Sequence, residues 1–169
     1  MPITPRLLFA LGALAAVGML GGGIFFQYVL HLDPCPLCVF QRVGYAAIGL
    51  ICMAGAVHNP GRAGRRVYAA LGSFAALCGL AVAGRHLWLQ NMPADQLPEC
   101  GPGLNYMLDV LPFTEVLAKV LRGSGECAEV LWRFLGLSIP GWSLVAFSVF
   151  LLVGLWLVLG RFDAASARR

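Results

Sequence analysis

Four long runs of apolar positions frame this chain. The first extends from Leu7 to Leu30, with Gln27 as its only strongly polar side chain. The second is uncharged from Val43 to Val57 and reaches full length only by running back through Arg42 toward Cys38. The third covers Val67 to about Leu89, with Arg85 and His86 near its end, and the fourth runs from Trp142 to Gly160. A bilayer core of roughly 30 Å takes about 20 helical residues to cross. No alternation of period two offers a barrel, and in lipid a backbone must satisfy its own hydrogen bonds. The pattern predicts spans at about 7–30, 38–57, 67–89 and 142–160 in one integral membrane domain over 1–169, an all-α fold built as a four-helix transmembrane bundle. The run after Arg6 outlasts the apolar core of a secretory signal, about 7–15 residues, and reads as an uncleaved anchor. The glycines, including the Gly18/Gly22 pair, read as close helix packing.

The spans leave loops at about 31–37 and 90–141, and the second is too long to be a structureless connection. Within it Phe113, Val116, Leu117, Val120 and Leu121 recur at helical spacing, while Thr114, Glu115, Lys119 and Arg122 take the opposite face and Gly123 can end the turn. This predicts a short amphipathic helix resting on the outer leaflet. Pro98, Gly101, Pro102 and Gly103 predict an extended, accessible segment around Cys100.

Composition narrows the class. Of 169 residues, 59% are hydrophobic and 12% charged, against about 25% charged in ordinary globular proteins. That excludes a soluble enzyme, a disordered tail and a nucleic-acid binder, and it makes the bilayer the first partner. Charge then orients the spans. Arg6, Arg62, Arg65, Arg66, Arg161, Arg168 and Arg169 fall on one side with a single acid, Asp163; Asp33, Asp95, Glu99, Asp109, Glu115, Glu126 and Glu129 fall on the other. Both termini and the Asn59–Arg66 loop are expected to be cytoplasmic, so the net charge of +4 reflects topology. Trp88 and Trp142 are expected at the outer interface.

Sorted by side, the cysteines carry the chemistry. Cys35, Cys38, Cys100 and Cys127 lie in or beside the outer loops, whereas Cys52 and Cys78 lie within spans and read as buried small hydrophobes. The distribution suits an oxidising outer compartment. Four outer cysteines allow three pairings; the short Cys35-Pro-Leu-Cys38 loop favours an internal, exchangeable disulfide, leaving Cys100 and Cys127 for each other. A static staple is an equal reading of that second pair. Zinc is a rival in principle, but only one pair has ligand spacing, and no metal is expected. Haem attachment is excluded because Val39, not His, follows Cys38.

Pro34 and Pro36 place the start of the second span near Leu37 or Cys38. Cys38 then stands at a helix N-terminus, where orphan N–H groups favour a thiolate. Arg42 lies one turn deeper on the same face, a fixed cation inside a span. Together they describe a thiolate site for a polar, electron-accepting head group whose tail lies in lipid. Arg85 and His86, at the same boundary of the third span, are candidates to complete the pocket, His86 as a donor to the reduced acceptor. His31 and His58 read as span-flanking residues.

Four blocks, Cys35-Pro-Leu-Cys-Val-Phe-Gln-Arg42, Arg85-His-Leu-Trp-Leu-Gln90, Met107-Leu-Asp-Val-Leu-Pro-Phe113 and Ser124-Gly-Glu-Cys-Ala-Glu129 with Phe134-Leu-Gly136, resemble the disulfide bond formation protein B (DsbB) family in order and over nearly the whole chain. The resemblance implies a bacterial inner-membrane protein-dithiol:quinone oxidoreductase that reoxidises the periplasmic dithiol oxidase DsbA, part of the DsbA–DsbB–quinone system that keeps the periplasm oxidising. It implies a relay in which DsbA attacks Cys100–Cys127 through Cys100 and the electrons pass to Cys35–Cys38. It further implies ubiquinone as the acceptor, with menaquinone under anaerobic growth, held by Cys38, Arg42 and His86. The partner is a DsbA-type thioredoxin-fold oxidase. A disulfide of ordinary structural stability would oxidise so strong an oxidant poorly, which argues against the staple reading. Two other readings are a non-catalytic scaffold stapled by outer disulfides, which has no use for Arg42 below a thiol, and a vitamin K epoxide reductase-like quinone reductase, whose C-x-x-C belongs to a later helix.

Overall fold

The computed structural model describes residues 4–97 and 103–160. Four long helices dominate: α1 (Pro5–Tyr28), α2 (Pro36–His58), α3 (Arg62–Gln90) and α6 (Ile139–Leu159), with the shorter α4 (Leu104–Val110) and α5 (Phe113–Arg122) between the last two. Each long helix has the length and hydropathy to cross a membrane, as the apolar runs require.

The helix ends depart from the apolar runs for local reasons. Thr4 caps α1 by accepting a hydrogen bond from the Leu7 N–H at 3.3 Å. The second helix starts at Pro36, whose missing N–H would be unpaired there anyway, so the extended Cys35 becomes its N-cap and Cys38 the third helical residue. Asn59 ends α2 in the left-handed conformation, φ 40°. The next helix begins at Arg62, several residues before the apolar run, because arginine is a good helix former. The expected Asn59–Arg66 loop thus shrinks, and Arg62, Arg65 and Arg66 stand on the first turns of α3.

The helices run up and down. Phe9 near the start of α1 meets Gly55 near the end of α2, and Arg42 near the start of α2 meets Gly23 near the end of α1. Gly154 late in α6 lies on Ser73 early in α3, while Ser138 before α6 donates to Gln90 at the end of α3. Ala16, Tyr45, Ile48, Ala76, Ala83 and Phe147 form the central core. Phe147 stacks on Tyr45 with centroids 4.3 Å apart. A Cβ at Gly44 would stand 3.2 Å from the Phe147 ring, and one at Gly49 3.4 Å from Ala16. Small residues let helices approach in this way where no water drives them together. Gly18 and Gly22 behave differently: nothing lies within 4 Å of a Cβ built on either, and they line a cavity. Four-residue spacing puts two glycines on one face but does not decide whether that face meets a helix. The buried reading of the span cysteines also fails at Cys78, which is exposed on the outside of α3; Cys52 is half-buried.

A second, smaller core forms where α2 begins and α3 ends. Leu37, Leu89, Met107, Val116 and Val120 pack there with Cys35 and Cys127. The expected amphipathic helix is α5, but its apolar face is only partly free to meet lipid. Val116 and Val120 are covered by protein, while Phe113 and Leu121 stay exposed. Gly123 closes α5 at φ 83°, pressed against the Leu89 side chain, so both conformation and space demand glycine there. Two elements were not expected. The seven-residue α4 and the two-residue antiparallel pair β1 (Arg133–Phe134) and β2 (Leu137–Ser138) are too short to impose a period on the sequence.

Candidate active site

The N-terminus of α2 presents two sulfurs, Cys35 and Cys38, and the second loop brings Cys127 beside them. Cys35 donates its S–H to Cys38 Sγ at 3.4 Å. On its other side, Cys35 Sγ, the His86 imidazole and Cys127 Sγ lie within 4.8 Å of one another. A short 3-10 turn, Gly125–Cys127, carries Cys127 into the small core, where its side chain has 0% exposure. Its thiol is held well above the usual range, first by its interaction with Cys35 and then by burial. Among the described residues no fourth Cys, His, Asp or Glu joins the 4.8 Å cluster, which leaves it short of the four donors of a closed structural zinc site. Cys100, expected to be the first sulfur of the relay, lies outside the described residues, as do Pro98, Gly101 and Pro102.

Two cavities meet at Cys38. The larger, about 530 Å³, lies between α1, α2 and α6 and is walled by apolar side chains, with Arg42 as its cation and Gly18, Gly22 and Gly23 giving α1 a bare face. The smaller, about 350 Å³, is the more polar of the two and includes Cys35, His86, Glu126 and Glu129. Cys38 lines both. Its position on the first turn of α2 follows from the proline pair and needs no tertiary help.

Arg42 is half-buried and braced across to α1. One terminal nitrogen donates to Gln27 Oε1, and the other donates to the Gly23 carbonyl at 2.8 Å. A Cβ at Gly23 would stand 3.0 Å from Arg42 Nε, so glycine leaves room for the guanidinium. Neither partner was expected. Gln27 carried a signal, as the one strongly polar side chain in an apolar run, since a buried amide needs a partner.

The Arg85-His86 pair divides. His86 is 2% exposed and faces the sulfurs, with Nε2 3.7 Å from Cys35 Sγ and Nδ1 3.1 Å from the Gln41 amide nitrogen. It lines the polar cavity and not the apolar one. Arg85 points away from both. Its guanidinium donates to the Leu121 and Arg122 carbonyls at 3.1 and 2.7 Å and lies over the Trp88 ring. It thus satisfies carbonyls left open at the C-terminus of α5, and the expectation that it completes the head-group pocket is corrected. Arg85→Ala is expected to loosen the docked segment. Amides of 113–123 should exchange with deuterium about tenfold faster, as losing charge-assisted bonds worth about 1.5 kcal/mol implies. Unchanged exchange would show that the small core alone holds α5.

An aromatic series roofs the apolar cavity. Phe26 of α1 meets Trp132 at 4.9 Å, Trp132 stacks on Phe134 at 5.7 Å, and Phe134 reaches Trp142 of α6 at 6.1 Å. The β1–β2 turn holds this strap, and Trp142 Nε1 donates to the Phe134 carbonyl at 3.1 Å. No local pattern marks Trp132, because nothing nearby in the chain links it to Cys38.

The sequence matches known proteins over most of its length. Residues 5–157 match the family described as disulfide bond formation protein DsbB. Disulfide bond formation protein B of Hahella chejuensis is 55% identical over 145 residues, 86% of this chain and 88% of that protein. The protein of the same name from Marinobacter nauticus is 51% identical over 161 residues, 95% and 96% of the two chains. That of Nitrosococcus oceani is 53% identical over 156 residues, 92% of each. With identity near half over almost its full length, the chain belongs to the DsbB family, the membrane dithiol:quinone oxidoreductases that reoxidise DsbA in disulfide bond formation.

Proposed function

We propose that this chain takes two electrons from a DsbA-type periplasmic oxidase at Cys100–Cys127 and delivers them through Cys35–Cys38 to ubiquinone, with menaquinone as the anaerobic substitute. The observation that carries this reading is the position of Cys38, which faces the polar, sulfur-lined cavity on one side and the apolar, Arg42-bearing cavity on the other. The larger cavity fits a quinone. It is mostly apolar, as a flat isoprenoid-tailed ring requires, and its one cation can meet a carbonyl oxygen that gains negative charge on reduction. A bound quinone accepts two electrons and two protons; the rest is done by this chain's residues.

DsbA's thiolate attacks Cys100, releasing Cys127, and DsbA's second thiol then frees Cys100, so that DsbA leaves as a disulfide and Cys100 and Cys127 as thiols. Cys127 attacks Cys35 Sγ of the Cys35–Cys38 disulfide. The Cys35–Cys127 bond forms, the Cys35–Cys38 bond breaks, and Cys38 departs as a thiolate facing the apolar cavity. Attack of Cys100 on Cys127 reforms the loop disulfide and frees Cys35. One disulfide's worth of electrons then rests on Cys35 and Cys38, beside the acceptor. The short Cys127–Cys35 approach supports this order, because exchange needs the attacking sulfur to reach one particular sulfur of the pair.

The chain is placed in the inner membrane with both termini and the α2–α3 turn cytoplasmic. The arginine-rich ends of the helices support that orientation, and the acidic second loop and redox cysteines then lie in the periplasm. Anaerobic stopped-flow mixing with reduced DsbA and ubiquinone tests the function. One quinone is expected to be reduced per DsbA oxidised, and Cys127→Ala mixed with oxidised DsbA is expected to accumulate the mixed disulfide through Cys100, whose free thiol attacks the DsbA disulfide with no Cys127 to resolve the product. Capture through Cys35 instead would reverse the order of the two pairs.

A further inference from the structure

We propose that His86 is the acid–base partner of the Cys127–Cys35 exchange, and that Gln41 is the residue that positions it. The inference rests on the relay proposed above and concerns a step that the relay leaves without a proton acceptor. Cys127 is fully buried, and burial disfavours a thiolate, so it carries its proton until something removes it. Thiolate is the attacking species, and the exchange therefore needs a base within reach of Cys127. The His86 imidazole lies within 4.8 Å of both the attacking sulfur and the sulfur attacked. It is walled off from solvent at 2% exposure and belongs to the polar cavity, whereas the quinone cavity does not include it.

Gln41 explains how one imidazole serves both directions. It is 3% exposed, on the second turn of α2, and its amide meets Nδ1. With the amide nitrogen donating to Nδ1, the ring proton sits on Nε2 and points at Cys35 Sγ, 3.7 Å away. With the amide turned over, its oxygen accepts from Nδ1–H, and Nε2 is a free base. A primary amide offers both a donor and an acceptor, so Gln41 holds the ring in one orientation through either state. In the forward step Nε2 takes the Cys127 proton as the Cys127–Cys35 bond forms and Cys38 leaves as thiolate. When Cys100 later attacks Cys127, the N–H on Nε2 faces the departing Cys35 and returns the proton. Cys35 faces Nε2, Cys127 Sγ lies within 4.8 Å of the ring, and His31, Asp33, Glu126 and Glu129 line the cavity that His86 shares with Cys35.

The test isolates the single step. Protein with Cys100→Ala, carrying the Cys35–Cys38 disulfide and a free Cys127, is jumped from acid to neutral pH, quenched, and mapped for the Cys35–Cys127 link. With His86→Ala added, link formation is expected to slow at least about tenfold at neutral pH. The rate should recover toward alkaline pH and with added imidazole, while the steady-state KM for ubiquinone in the protein retaining Cys100 stays unchanged. Gln41→Leu should show the same slowing with His86 intact, and Gln41→Glu, which keeps an acceptor for Nδ1–H, should retain the rate. Unchanged link formation in His86→Ala, or a loss confined to quinone KM, overturns the assignment. If no link forms in Cys100→Ala protein that keeps His86, the relay itself is wrong, and this inference falls with it.

Discussion

Cys38→Ser protein is expected to reduce no ubiquinone when supplied with reduced DsbA, a fall in turnover of about 10³-fold or more. The size of the effect follows from geometry. Cys38 is the relay sulfur shared by the two cavities, and among the described residues no other thiol lines the Arg42 side for electrons that reach Cys35 or Cys127. Serine keeps the size and the helix start but cannot form a disulfide with Cys35. The partner step should survive, because Cys127 and the second loop are untouched, and a single turnover of DsbA oxidation at the Cys100–Cys127 disulfide should still be seen by acid quench. Retained quinone turnover would remove Cys38 from the path and with it the proposed function.

Arg42→Ala is expected to raise the KM for ubiquinone by about 10- to 100-fold with a smaller change in kcat. Charge-assisted hydrogen bonds are worth about 1.5–3 kcal/mol, and about 1.4 kcal/mol corresponds to tenfold in affinity. Arg42 also braces α2 to α1 through Gln27 and the Gly23 carbonyl, so a purely structural role must be separated from binding. Gln27→Leu removes part of the brace and leaves the cation. If binding is Arg42's function, Gln27→Leu should disturb thermal stability in detergent more than quinone KM, and Arg42→Lys should restore part of the affinity. An unchanged KM in Arg42→Ala would make Arg42 a helix brace only.

The contrast between Arg42 and Arg85 shows how far each kind of information reaches. Both were marked in the sequence as cations near the outer edge of a span. Arg42 was legible because its relation to Cys38 is one helical turn, which α2 fixes wherever that helix packs. Arg85 was not, because its side chain answers to the carbonyls of α5, a helix some thirty residues further on. His86 was marked as a candidate for the same pocket, yet the rotation of α3 turns it to Cys35 and Gln41.

What is local and periodic was legible along the chain: four apolar helices, the amphipathic α5 with its closing glycine, the C-x-x-C at the start of α2 and the cation one turn below it. Helix period and the restrictions of proline and glycine act within a few residues, so they are written in the order of the chain. Which distant groups meet depends on how the helices pack. Cys127 reaches Cys35 because α5 docks on the ends of α2 and α3. Gln27 and Gly23 hold Arg42 because α1 returns beside α2, and the strap of Phe26, Trp132, Phe134 and Trp142 closes over a cavity that no segment contains alone. These contacts depend on the rotation and closeness of whole helices, set by small residues such as Gly44 and Gly49 and by the filled core around Phe147. That packing is a property of pairs of surfaces, which no single stretch of sequence carries.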